Sequence, residues 1–133
     1  MKTHSLKSIK KKAWAEFSKY IRLKSVLKDG VAFCFTCSSV FHWKELQAGH
    51  FIDGRKNAVL YDEEIVHPQC QTCNIWKRGN KDAYTPRMIE KYGLKKVKEM
   101  WARKEKIVQM KYYDHEIIYL KYKQLNEKLE SKP

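Results

Sequence analysis

Every cysteine in this chain belongs to a Cys-x-x-Cys pair: Cys34 with Cys37, and Cys70 with Cys73, the two pairs separated by 32 residues. Each such turn brings two sulfurs within reach of the same ion, so the spacing predicts one tetrahedral zinc site that staples two distant segments together. Two disulfides in a secreted chain, or four unrelated core thiols, are the competing accounts. Neither suits the sequence: residues 1–12 are basic with no apolar h-region, and no βαβ pattern surrounds the pairs to suggest a redox motif. No run approaches the roughly 18 apolar residues of a membrane span. The expectation is a reducing, intracellular and cytoplasmic setting.

Between the pairs stands Gly49-His50-Phe51, and the second pair runs directly into Asn74. The zinc would therefore tie a histidine able to activate water to an asparagine whose carbonyl oxygen suits a hard cation. A base facing such a ligand is the minimum equipment for phosphodiester cleavage.

The 133 residues suffice for one domain, with a core to which a structural zinc would add about 10 to 16 kcal/mol of apparent binding energy. The net charge of +13 is uneven. Residues 1–29 hold nine Lys/Arg against two acids, residues 30–80 five against five, and residues 81–133 fourteen against eight. A neutral centre with basic flanks fits a polyanionic partner, since every phosphate neutralised releases counterions. Self-solvating lysine-rich helices are the plainer account, and an acidic membrane the weaker one, because no lipidation signal accompanies the charge.

Those boundaries also divide the expected α+β fold into a basic helix (1–29), a zinc-stapled core (30–80) and a helical extension (81–133). Ile9, Ala13, Phe17 and Ile21 recur at helical spacing, with Lys10, Lys11, Lys12, Lys19, Arg22 and Lys24 on the other face; Asp29-Gly30 supplies the stop. The aromatic residues beside that stripe, Trp14 and Tyr20, read as core. The segment 31–51 reads as a hairpin with strands near 31–35 and 40–52, followed by an exposed loop over 53–57. Ile65-Val66 reads as a short extended piece halted by Pro68. A helix is expected over 71–78, another from the Thr85 cap and Pro86 to Tyr92, a third over 94–106, and a last one capped by Asp114.

Leu46-Gln47-Ala48-Gly49-His50-Phe51-Ile52, followed by Asn57, Asp62, Val66-His67-Pro68-Gln69-Cys70, Cys73-Asn74 and Gly79-Asn80, resembles the phage lambda NinG (Rap) recombination protein family. Its wider group is the zinc-containing HNH, or ββα-metal, nucleases, and the similarity extends from Tyr20-Ile21-Arg22-Leu23 into the C-terminal helices. The resemblance implies a metal-dependent DNA endonuclease of phage recombination, acting on Holliday junctions and D-loops. His50 matches the general base, Asn74 the ligand of a catalytic Mg²⁺ or Mn²⁺, and the four cysteines the structural zinc ligands. Two departures stand out. Gly49 replaces the acidic residue that many members use as a second metal ligand, although some relatives also carry glycine there. Ile65 replaces the middle asparagine that orients the base, a task left to a backbone carbonyl or to Asn57.

His67 is a further candidate, as second ligand, phosphate contact or structural residue. Lys77 and Arg78 lie one turn past Asn74, where they could grip the scissile strand; with Lys10, Lys11, Lys12, Arg22, Arg55 and Lys56 they form the expected DNA-binding set. His4, His42 and His115 read as ordinary surface residues. A four-way junction cut on opposing strands needs two active sites, so a homodimer through the aromatic-rich C-terminal helices is expected, with recombination proteins as further partners. The rival readings are a non-cutting zinc-ribbon DNA-binding module and an HNH nicking or homing enzyme on linear duplex.

Overall fold

The structure is a computed structural model that describes residues 5–53 and 56–131. His4 and Arg55 therefore lie outside the described residues. Helix α1 (Leu6–Leu23) starts where Ser5 Oγ accepts the Ser8 N–H at 3.1 Å, and it buries the expected stripe of Ile9, Ala13, Phe17 and Ile21. That stripe lies along α5 (Tyr112–Glu130), the last helix, and the two run in the same direction. Phe17 meets Tyr122 edge-on at 5.0 Å, Asn126 donates to the Glu16 carbonyl at 2.9 Å, and Lys19 reaches Glu130 at 2.6 Å. The basic N-terminal flank is thus built against the basic C-terminal one.

The mixed α+β class is as expected, but the strands pair differently. Strand β1 (Val31–Phe33) pairs with β2 (Val40–His42), and the first cysteine pair occupies their connection. The long strand expected over 40–52 is broken by a 3₁₀ turn, Trp43–Glu45, which His42 caps by accepting the Lys44 N–H on Nδ1 at 3.2 Å. Beyond the break, β3 (Gln47–His50) joins β4 (Val66–Gln69) in a second antiparallel pair, with His50 opposite Val66 and Gly49 opposite His67. Pro68 does not halt β4. It sits opposite Ala48, and a residue whose nitrogen points away from its only partner strand forfeits no ladder bond. Its carbonyl accepts the Phe35 N–H at 2.8 Å and so couples the two hairpins.

A short helix, α2 (Asn57–Leu60), bridges β3 and β4. After β4 the expected helix over 71–78 is a tight π-helical turn, Thr72–Trp76, closed by the wide bond from the Lys77 N–H to the Thr72 carbonyl at 2.8 Å. Gly79 and Asn80, both at positive φ, reverse the chain, and α3 (Lys81–Tyr92) begins at once, ahead of the expected Thr85 cap. Pro86 is therefore internal and leaves one carbonyl of the first turn without its helical partner. Helix α4 (Leu94–Arg103) ends short of 106, and α5 starts at Tyr112, so that Asp114 lies inside its first turn and accepts the Lys111 N–H at 2.8 Å. Helices α3 and α4 bury Tyr84, Met88, Val97 and Met100 against Phe51, Ile52, Val59 and Ile65. His115 is fully buried rather than superficial: its Nδ1 lies 2.7 Å from the Tyr61 hydroxyl.

Candidate functional site

The four cysteine sulfurs come together, all within 4.8 Å of one another, and none is in a disulfide. Cys37 Sγ and Cys70 Sγ are 3.8 Å apart. With zinc–sulfur bonds of about 2.3 Å, the edge of a tetrahedron is about 3.8 Å, so the donor set fits one zinc ion. Donors already point at the sulfurs: the Cys73 N–H at Cys70 and Asn80 Nδ2 at Cys73. Burial opposes ionisation of Cys34, yet hydrogen bonds from the Thr36 hydroxyl and nearby backbone outweigh it and bring the thiol to about 6. Cys70 is pushed up to about 12 by burial and by its neighbours, Cys34 among them. A dication between them would remove that repulsion.

Next to this cluster opens a cleft of about 720 Å³, lined by Trp14, Ser18 and Arg22 of α1, by Gln47, Ala48 and His50 of β3, and by Asn74, Arg78 and Gly79. His50 ends β3, half buried, with Nε2 at 3.1 Å from the Leu60 carbonyl at the end of α2. A carbonyl only accepts, so Nε2 carries a proton, and whenever the ring is neutral the lone pair is on Nδ1. Trp14 stacks on the imidazole, centroids 5.0 Å apart and planes inclined by 18°. Behind the ring the strand is held by α3. Lys81 Nζ donates to the His50 and Phe51 carbonyls, both at 2.6 Å, and the Tyr84 hydroxyl donates to the Gly49 carbonyl at 2.8 Å. Burial lowers the Lys81 pKa, with Asp53 acting in the opposite direction.

Asn74 enters from the π turn. Its Nδ2 donates to Gln47 Oε1 at 2.8 Å, an arrangement that commits the amide nitrogen and turns Oδ1 the other way. Gly49 explains the missing acid. A Cβ built there would stand 1.8 Å from Gln69 Oε1 and 2.9 Å from Asn74 Oδ1, so a side chain fits only if the Gln69 amide gives up its place. Gln69 is fully buried and donates to the Gly79 carbonyl at 2.8 Å and the Thr36 hydroxyl at 3.1 Å. Among the described residues no donor reaches its Oε1.

The remaining candidates scatter. Asn57 is not beside His50: its Nδ2 donates to the Val108 carbonyl at 3.1 Å, and the task left open in the sequence falls to the Leu60 carbonyl. His67 is turned away from the cleft, because alternation along β4 sends it to the other face. There it stacks on Phe35 at 4.2 Å and bonds the Glu64 carbonyl at 2.9 Å, and burial lowers its pKa to about 4. That is a packed neutral histidine, not a ligand. Arg22 and Arg78 line the cleft, Arg22 lying 5.4 Å over the Trp43 ring. Lys77 is exposed beside them; Lys11, Lys12 and Lys56 are exposed elsewhere, and Lys10 is half buried.

Sequence reasoning missed Gln47, Gln69, Lys81 and Tyr84. It placed Trp14 in the core. The one available signal for Trp14 was its spacing of four and eight residues from Ser18 and Arg22, which puts the three on one helix face.

Neither the curated proteins nor the solved structures gave a match. Among the described residues no helix is long and apolar enough to cross a membrane. The family model of the bacteriophage lambda NinG protein matches residues 1–132, nearly the whole chain. With the cysteine cluster and its adjoining cleft in the same span, this chain belongs to the NinG family.

Proposed function

We propose that this protein is a metal-dependent endodeoxyribonuclease that hydrolyses phosphodiesters in branched recombination intermediates. Membership of the NinG family implies a role related to phage recombination. The observation that carries the finer reading is the shared cleft, which His50 and Asn74, each held by a separate support, line together with two arginines.

In this reading the Leu60 carbonyl and the Trp14 ring orient His50, and Nδ1 takes the proton of a water aimed at the scissile phosphorus. Arg22 and Arg78, which line the same cleft, would grip the backbone. Asn74 Oδ1, set by Gln47, would hold Mg²⁺ or Mn²⁺, which when bound supplies charge neutralisation at the phosphate and the departing oxygen. Gly49 offers no second ligand beside Asn74, and the carboxylate that also lines the cleft, Asp53, is paired with Lys81 at 3.3 Å. The cysteine cluster, loaded with zinc, would fix the π turn that presents Asn74.

Cutting opposed strands of a junction calls for two copies. Tyr113, Ile117 and Leu120 form an exposed stripe on α5 suited to a homodimer, and a monomeric mass on a bound junction would exclude it.

Labelled four-way and linear DNA, incubated with Mg²⁺ or Mn²⁺, tests the proposal. Cleavage should fall about 10²- to 10⁴-fold in His50→Ala while binding persists. Unchanged biology in that variant would favour a non-cutting zinc-ribbon module, and equal cutting of linear duplex would favour a nicking or homing enzyme.

A further inference from the structure

Tryptophan is ordinarily among the more buried side chains, and three of the four here have partners: Trp14 on His50, Trp43 beneath Arg22, Trp101 against Phe51. Trp76 is 76% exposed, and among the described residues no ring or cation stacks on it. Ile75 beside it is 51% exposed. The pair does not sit on a loose loop. It crowns the π turn, whose backbone is bonded from Asn74 N–H to the Cys70 carbonyl at 2.9 Å, from Lys77 N–H to the Thr72 carbonyl at 2.8 Å, and from Gly79 N–H to the Cys73 carbonyl at 2.9 Å. A rigid platform holds an apolar plane out in water.

The neighbours identify its occupant. Asn74 and Arg78 of the same segment line the cleft, and Lys77 and Arg78, both exposed, follow Trp76 directly in the chain. A polyanionic partner attracted to these cations is brought to the segment that carries the exposed indole. Resting on the nuclease reading, we propose that Trp76 is a stacking surface for an unpaired base at a DNA branch or bulge and sets the preference for branched over perfectly paired DNA. In intact duplex both faces of each base are covered, so a flat ring outside the helix finds nothing to stack on. At a branch, gap or bulge a base face is open, and aromatic stacking on it is strong and tolerant of sequence. Ile75 can wedge into the same opened step.

The test is binding, in buffer without added Mg²⁺ or Mn²⁺ and without chelator, to a four-way junction, a bulged duplex and a paired duplex of equal length. Trp76→Ala and Trp76→Gln, each verified to hold as much zinc as wild type, should lose about tenfold or more in affinity for the junction and the bulge, with duplex affinity within about twofold of wild type. Trp76→Phe should retain most of the preference. A base analogue whose fluorescence reports stacking, placed at the bulge, should be quenched by wild type and not by Trp76→Ala. An equal loss on all three DNAs, or no loss on any, overturns the proposal. Wild type that prefers branches yet cuts nothing with either cation would sink the nuclease reading and leave the stacking role standing.

Discussion

Two halves of this molecule are held together by different physics, and the cleft lies on the seam. The cysteine half, β1, β2 and the π turn, has a small cluster of Ala32, Leu46 and three of the cysteines, with strands of only three residues. The helical half buries Phe17, Tyr84, Tyr122, Met88 and Met100. Each such side chain contributes about 1.5 to 3 kcal/mol, so the helical half stands on apolar burial, whereas the cysteine half needs its ion. The candidate base is fastened to the first kind of structure, through Trp14, Leu60 and Tyr84, and the candidate ligand to the second. Strand β3 joins them, carrying Gln47 at one end and His50 at the other. Separate supports allow each group to be perturbed alone.

Stripping the ion should break the comparison most sharply. Strong chelation, or Cys73→Ser, is expected to abolish cleavage and speed amide exchange over 30–50 and 70–80, while circular dichroism retains most of its helical signal. Loss of α1 and α5 in the same transition would show that the halves are one cooperative unit.

Gly49 comes next. Gly49→Asp restores the acid common elsewhere, yet its Cβ collides with Gln69, so it should destabilise by about 1 to 3 kcal/mol and lower cleavage rather than raise it. Combining Gly49→Ala with Gln69→Ala should recover part of the loss in urea unfolding, a coupling absent if the two sites are independent.

A third effect belongs to the helical half. His67 has a folded pKa lowered to about 4, from an ordinary 6.5, chiefly by burial. The unfolded chain therefore binds a proton that the folded chain refuses: stability is full above 6.5, falls as pH drops, and levels off near 4. The whole decline is about 3 kcal/mol. His67→Phe should flatten the curve relative to wild type, metal loss being common to both.

The smallest effects separate the supports. Gln47→Ala should reduce cleavage about tenfold and raise the Mg²⁺ concentration required, whereas Trp14→Ala should cause a similar loss at unchanged Mg²⁺ dependence. Identical signatures would mean that the two groups do not act from separate halves.

What the sequence discloses follows the same division. Cysteine spacing is local and chemical, so the cluster was legible, as was the buried face of α1, because periods of three and four need no partner to be read. The pairing of β3 with β4 was not. His42 caps a turn that interrupts an otherwise extended run, and only β4, brought back by α2, tells β3 where to end. Pro68 carries no sign of which edge its nitrogen faces. His67 read as a candidate ligand and His115 as a surface residue, and the burial of both depends on residues distant in sequence, Phe35 and Tyr61. Gly49 looked like a departure from a pattern. The reason for it, Gln69, is visible only across the strand pair.

The embrace of α1 and α5 also governs timing. Asn126 reaches back to Glu16 across a separation of 110 residues, so the first helix acquires its apolar partner only once translation has passed the last. A nascent polypeptide halted before Tyr112 would hold both cysteine pairs but lack the surface that seats Trp14 over the imidazole. Synthesis thus withholds the seat of that imidazole until α5 has emerged.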